Sequence, residues 1–483
     1  MAIDGRTPVI VGVGQVTIAD VQAPEPIALL ERAAWAAADD AGTDAILAAL
    51  QSIRIVRIMS RGYPDPAALL VERIGVPSVH RGITTSGGNH PQALINRTAH
   101  EIANEGLDLA LIGGAESWRT RSAAKKRGDR LDWSKQDSAA IPDDTYGDDE
   151  PFFHADEAAV GIERPGQMYA IFETALRNAL GLEPEAHLRR ISELWSRFSS
   201  VASRNPYAAI PRTYTPEQIS TVSDENRMIN YPYPKLMNSN IVVDQSAALI
   251  MCSVERARAL GIDDSRWVFP WSGAEAFGTA TASTRDNLAE SPAIRVAGRT
   301  ALALAGVEVD DVDLVDLYSC FPSAVQVAAS ELGLSLDREL TATGGLTFAG
   351  GPANNYTTHA IASLVPLLRT RPDDVAIATA NGGMLSKHAI GVYSGTPPRT
   401  TFRRANVQAE VDEFPSRALA KGYAGTATVE AYTIEFDSAR APARVLTAAL
   451  TPDGARTWHA SVEPSVIEHA LAGDLIGRPI ATA

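Results

Sequence analysis

From Glu25 to Gly42 the chain reads EPIALLERAAWAAADDAG, with apolar residues returning every three or four positions, and IRIVRI follows at 53–58. The first pattern predicts an amphipathic helix and the second a β-branched strand. The same pair returns far downstream, as AIRVAGRTALALAGVEVDD (293–311) and VDLVDLY (312–318). A second pair of segments matches as well. TSGGNHPQALINRTAHEIANEGLDLALIGGAES reads as glycine loop, helix, strand, glycine; FAGGPANNYTTHAIASLVPLLRTRPDDVAIATANGG has the same order, with Asp108 and Asp374 opening the two strands. Both strands are almost wholly apolar, as a sheet covered on both faces requires.

Helix–strand alternation belongs to any α/β protein, but the matched order and the shared glycines favour duplication. The expected fold is therefore α/β, with two similar βαβ-type halves packed about a pseudo-twofold axis. Two helix N-termini, near Pro91 and Asn355, would then face one pocket at the carboxyl ends of the strands, where open α/β sheets bind ligands. The halves are expected at 1–260 and 261–400.

Two regions break the rhythm. From about 118 to 235 an insertion opens with the basic RTRSAAKKRGDR, passes through the acidic and aromatic DDTYGDDEPFFHADE, and then carries helical patterns at GQMYAIFETALRNALG and AHLRRISELWSRFSSVASRN. It reads as a ligand lid, or as a solvated excursion, since charge runs usually face water. After about 405 the pattern becomes alternating: TATVEAYTIEFD, ARVLTAALTP and ARTWHASV surround SARAP and PDG turns, with a short helix near 464–472 and a last strand in LIGRPIAT. Residues 405–483 are expected to form a separate, antiparallel, OB-like β unit. Cleavage near Arg403 or Arg404 should then leave a folded core.

Charge and cysteine content narrow the partners. The chain has 43 basic and 58 acidic residues, a formal net charge of −15. That argues against nucleic acid or an anionic membrane as the main partner. Cys252 and Cys320 cannot build a disulfide framework, which points to a reducing cytoplasm. The start, MAIDGRTPVIVGVGQ, lacks the pattern of a signal peptide, and no apolar run reaches the length of a membrane span. The His and Cys residues show no paired metal-ligand spacing, so no metal and no covalent cofactor are expected.

Several stretches together resemble the thiolase superfamily. QALINRTAHEIANEGLDLALIGGAESW is similar to the segment from the thiolase nucleophile helix to its strand, and YPYPKLMNSNIVVDQSAALIMCSVERARALG to the end of the first thiolase half. DLVDLYSCFPSAVQVAASELG resembles the segment of sterol-carrier-protein-type thiolases that contains HDCF. GGLTFAGGPANN stands where thiolases carry GHP, and ANGGM where they carry CxGGGM. The likeness covers most of 1–400, and the β-rich tail resembles the additional C-terminal domain of thiolase-like proteins of type 1. It implies a five-layered core with a loop-domain insertion, and an acyl-CoA or CoA as substrate or ligand.

The resemblance also locates what is missing. Aligned through Gln92 and Ala93, the acyl-accepting Cys of C-x-S-G-x-x-A falls on Gly87. The activating His of GHP falls on Gly351, the acid–base Cys near Thr379, and the His of HDCF on Tyr318. A thiolate at a helix start attacks a thioester; glycine has no side chain to do so. Backbone N–H groups at that helix start can still bind a carbonyl oxygen or an anion. The loop residues Gly87, Gly88, Asn89 and His90 are thus expected to bind, with His90 preferred to His100, which has helix-face spacing.

The same reasoning names the other candidates. Gly351, Asn354, Asn355, Asn381, Gly382 and Gly383 would line the second half of the site, although Asn at a helix start is also ordinary capping. Cys320, His388 and Tyr318 are the remaining candidates for chemistry. Cys320 is either a relocated nucleophile or a small buried hydrophobe; His388 is an acid–base group or a core histidine; Tyr318 is a phenol donor or a strand-end tyrosine. Arg119, Arg121, Lys125 and Lys126 are candidate contacts to CoA phosphates.

Three functions fit these residues. One is an acetyl-CoA acetyltransferase-like acyltransferase that uses Cys320 and His388. Another is an acyl-CoA binder with thiolase turnover weak or absent, which the missing cysteine favours. The third is a non-enzymatic subunit whose C-terminal domain recruits an acyl-CoA enzyme of lipid metabolism. A homodimer or another acyl-CoA-metabolising protein is the expected protein partner.

Overall fold

The computed structural model describes residues 3–19, 22–76 and 79–482. Two sheets stack with a layer of helices between them. The first orders its strands Pro8–Thr17, Asp244–Ser253, Leu109–Ser117, Ser52–Ile55, His80–Thr84 and Asp144–Tyr146. The second orders Leu314–Asp316, Val375–Gly382, Lys387–Ser394, Phe269–Phe277 and Arg403–Asn406. Leu109–Ser117 and Val375–Gly382 are buried along their whole length, as the continuous apolar runs required.

The two helices that follow the glycine loops, His90–Asn104 and Tyr356–Thr370, touch each other and both sheets. They form the middle layer. Helix Pro26–Ala41 covers the outer face of the first sheet and helix Pro292–Ala305 that of the second, so the order is helix, sheet, helix, sheet, helix. This is the five-layered order that the resemblance implied, and both halves follow the repeated element order read from the sequence.

Small residues set the layer spacing. Helix Pro26–Ala41 buries five alanines among Ile27, Leu29 and Leu30, starts with Pro26 and ends at Gly42 in the left-handed region, as helix-stop chemistry prefers. A Cβ on Gly12 would sit 2.1 Å from the carbonyl oxygen of Ala37, and one on Gly14 2.1 Å from that of Ala33. Glycine at both places lets the helix lie directly on the strand. Two predicted strands are shorter than their apolar runs. Residues 56–58 leave the ladder after Ile55, and 317–318 leave it after Asp316 to turn toward the next helix.

The insertion supplies helices Pro165–Ala179 and Pro184–Ala202, close to the predicted patterns. The tail forms an antiparallel sheet in which Gly425–Phe436 pairs with Pro442–Leu450 on one side and with Pro479–Thr482 on the other, Arg456–Ser461 completes the path, and Pro464–Ala472 is helical. These pairings run as an open path and do not supply the closed ring of an OB-like barrel.

The tail is also less separate than its alternation implied. Strands Met228–Asn230 and Tyr233–Pro234 of the insertion extend its sheet through Glu435 opposite Asn230. Thr174 exchanges two hydrogen bonds with the backbone of Tyr432, at 2.8 and 3.0 Å. Ala431, Leu446, Ala448 and Trp458 belong to the same core as the second half. The sheet must bury one face against something, and the insertion is what it finds.

Candidate functional site

The two glycine loops meet. Gly87 N–H donates to Asn354 Oδ1 at 3.0 Å, and Asn354 Nδ2 donates to the carbonyl of Arg57 at 3.0 Å. Beside them lies a cavity of about 430 Å³. The halves contribute Gly87, Gly88, Tyr318, Cys320, Gly351, Asn354, Asn381, Gly382 and Gly383 to its wall. The insertion closes it with Phe152, Arg164, Tyr169 and Asn230.

Local chain direction places each group. Strand Leu314–Asp316 ends just before Tyr318, and helix Pro322–Leu332 begins just after Cys320, so both side chains sit in the turn at the strand's carboxyl end. The Tyr318 ring packs edge-on against Tyr356, with centroids 5.4 Å apart. A Cβ on Gly88 would lie 2.3 Å from the Tyr318 hydroxyl and 2.5 Å from the carbonyl of Asn381. Only glycine lets these three come so close. The Tyr318 hydroxyl has no hydrogen-bond partner among the described residues, and burial pushes its pKa up, so it remains a donor.

Asn381 donates from Nδ2 to the Tyr169 hydroxyl at 2.8 Å and to Cys320 Sγ at 3.8 Å; its Oδ1 is buried without a partner among the described residues. Tyr169 in turn donates to the carbonyl of Gly383 at 3.2 Å and stacks on Phe321 at 4.7 Å. Burial pushes the Cys320 thiol up to about 12, against the smaller opposing effect of hydrogen bonds from Tyr169 and Asn381. At neutral pH this is a thiol and a poor nucleophile.

Several expected residues lie behind the wall. Asn89 Oδ1 is buried without a partner among the described residues, in the space that a Cβ on Gly87 or Gly382 would need, 2.4 and 2.3 Å away. His90 turns to Thr85 Oγ1 at 3.0 Å, and burial lowers its pKa to about 4. Asn355 donates to the carbonyl of Gly114 at 2.8 Å and accepts from Thr358, which is a structural role. His388 bonds to Ser291 Oγ and to the carbonyl of Leu385, each at 3.2 Å, and burial lowers its pKa to about 3. It lines a separate small void behind Tyr318 and Asn381. The expected Cys320–His388 pair is therefore not assembled.

The basic helix Trp118–Arg127 does not reach the cavity. Arg119 pairs with the buried Asp244 at 3.1 Å, Arg121 donates to the carbonyl of Ser60 at 2.8 Å, and Lys125 and Lys126 are exposed elsewhere. Sequence reasoning missed Arg164, Tyr169 and Asn230. The signal for the first was its place ahead of Pro165, which opens a helical pattern; the other two carry none without the fold. Among the described residues no group of three or more His, Cys, Asp or Glu side chains could hold a metal ion, and no helix is long and apolar enough to cross a membrane.

Comparison with known proteins places these features. The profile of the thiolase-like protein type 1 additional C-terminal domain matches residues 406–482, and the thiolase C-terminal domain-like profile matches 274–350. The crystal structure of a monomeric SCP2-thiolase-like protein type 1 from Mycobacterium smegmatis is 32% identical. It superposes with a TM-score of 0.84 and covers 99% of this chain and 97% of that one. An acetyl-CoA acetyltransferase of Methanocaldococcus jannaschii is 26% identical over 278 residues, 56% of this chain. Another, from Methanothermobacter thermautotrophicus, is 27% identical over 220 residues, 42% of this chain. The chain spans 62% and 55% of the lengths of these two curated relatives.

Proposed function

The chain belongs to the SCP2-thiolase-like proteins of type 1, and from that premise we propose that it binds an acyl-CoA thioester without forming an acyl-enzyme. The observation that carries this reading is the pairing of an intact cavity with an absent nucleophile. Position 87 is glycine, Asn89 Oδ1 fills the space beside it, and the one thiol in the cavity wall is pushed up to about 12. Removing a nucleophile deletes the covalent route, and oxyanion donors restore only part of such a rate.

Binding depends on other groups, which remain. The Tyr318 hydroxyl and the N–H of Gly88, both in the cavity wall, have no partner among the described residues. They are suited to donate to a thioester carbonyl held between them. Phe321, Met384, Leu346 and Ile229 give the cavity an apolar wall for the acyl chain. The reading of the tail as a recruiting module draws less support, because part of its surface is used inside the chain against the insertion.

The test is incubation with acetoacetyl-CoA, followed by calorimetry, intact-protein mass spectrometry and release of free thiol. Micromolar binding with no adduct and no CoA release is expected. An adduct that forms within the turnover time and vanishes in Cys320→Ser would make Cys320 a relocated nucleophile and restore the acyltransferase reading. Absence of both adduct and binding would favour the assembly-subunit reading.

A further inference from the structure

A second cavity, of about 120 Å³, shares no wall residue with the larger one. Its wall comes from the loop after strand Phe269–Phe277, from the start of helix Pro292–Ala305, and from Val411, Phe414 and Pro415 in the segment that leads to the tail.

Four charged residues line it, and three of them have ion-pair partners. Asp286 pairs with Arg417 at 3.3 Å, Glu290 with Arg295 at 3.2 Å, and Arg295 also with Glu331 at 2.6 Å. Arg285 has no ion-pair partner among the described residues, yet it is only 6% exposed. Its Nη2 donates to the carbonyls of Met384 and Leu385 at 2.7 and 2.8 Å. Nη1 is buried without a partner; Nε has no hydrogen bond among the described residues and is not closed off as Nη1 is. Burial lowers the pKa of this guanidinium to about 10, so it stays charged at neutral pH. Glu157 acts on it from a distance, but that carboxylate is engaged by the N–H and Oγ of Ser283 at 2.8 and 2.7 Å. A buried charge without a counter-ion is costly, and a bound anion relieves that cost.

The helix start points the same way. Pro292 has no N–H to give, and Ser291 Oγ is bonded to His388 Nε2 at 3.2 Å and does not cap the helix. The N–H of Ala293, a wall residue, is left without a partner among the described residues. Free N–H groups and the dipole of a helix start favour an anion. Pro292, Leu385, Val411, Phe414 and Pro415 add apolar surface. A cavity of about 150 Å³ holds a benzene ring, so this one has room for a short hydrocarbon chain behind a charged head.

We propose that this cavity is a binding site for a short-chain aliphatic carboxylate, held by Arg285 and the start of helix Pro292–Ala305. The site does not depend on the acyl-CoA reading. It belongs to the full chain, since the segment leading to the tail closes it. Arg285 also holds the carbonyl of Met384, which lines the larger cavity, so the two ligands would lie on either side of one loop.

Butyrate is the probe and its neutral isostere butyramide the control, in ligand-observed NMR titrations of the full chain. Wild type should bind butyrate at least about tenfold more tightly than butyramide, and inorganic phosphate at equal concentration should not displace it. Arg285→Met should lose that preference. Because this change also frees two carbonyls, Gly278→Leu is the second variant. A Cβ at Gly278 would meet only Ala293 Cβ and the Ser386 carbonyl, each at 3.9 Å, so the added side chain fills the cavity while Arg285 stays. It should melt as wild type does and lose about tenfold in butyrate affinity. A wild-type crystal soaked in butyrate, which needs no variant, should show it against Arg285. Equal binding of butyrate and butyramide, unchanged butyrate affinity in a folded Gly278→Leu, or a soak that leaves this cavity empty would overturn the proposal. Displacement by phosphate would make the cavity a general anion site and overturn the carboxylate assignment.

Discussion

Gly87 N–H donates to Asn354 Oδ1 at 3.0 Å, joining residues 267 positions apart. The bond ties the glycine loop of one half to that of the other at the wall of the cavity, and Asn354 completes the link through Arg57. Asn354→Ala would leave the Gly87 N–H without its acceptor. We expect a loss of about 1–3 kcal/mol in urea unfolding, with weaker acetoacetyl-CoA binding. Unchanged stability would mean that the halves are held together elsewhere.

Restoring a cysteine should not restore chemistry. In Gly87→Cys the new Cβ would meet Asn89 Oδ1 at 2.4 Å and the His90 ring at 3.2 Å. Crowding of this kind costs about 1–3 kcal/mol. His90 is a weak base there, since burial lowers it to about 4 and Thr85 holds its Nε2. The variant should remain free of acyl adduct by intact mass after minutes with acetyl-CoA; rapid acylation would show that the scaffold lacks only the thiol.

The buried His388 gives a pH signature. Its folded pKa of about 3 lies below the ordinary 6.5. Below pH 6.5 the unfolded chain takes up a proton that the folded chain refuses until about pH 3. Wild type therefore loses about 1.4 kcal/mol per pH unit from this group as pH falls below 6.5, and gains nothing from it above. His388→Gln lacks that loss. The stability gap between the two proteins should narrow from pH 7 to pH 5 in urea unfolding. A constant gap would place a charged imidazole in the folded state.

Removal of the tail should harm the rest of the chain. Removing 405–483 takes Ala431, Leu446, Ala448 and Trp458 out of a core shared with the second half, and leaves Asn230 without its partner Glu435. A chain ending at 404 should melt at lower temperature or precipitate, and lose acetoacetyl-CoA binding. A cooperative fragment with unchanged affinity would restore the picture of an independent unit.

The sequence alone determined the repeated order of elements, because helix and strand periodicities and glycine or proline at element ends act over a few residues. Pro26 and Gly42 bound their helix as written, and the apolar run 109–117 is a buried strand. It also determined that no thiol stands at 87. What only the tertiary structure decided is which side chains share the cavity. Cys320 and His388 are both near strand ends, yet one lines the cavity and the other lies behind Tyr318 and Asn381, since the face a side chain takes depends on packing across layers. Arg119 stood out as a candidate in the sequence and Arg164 did not. Buried Asp244 claims the first, while Glu435, far along the chain, turns the second to the cavity mouth. Pairings across hundreds of residues are set by the packing of the layers and leave no local pattern to read.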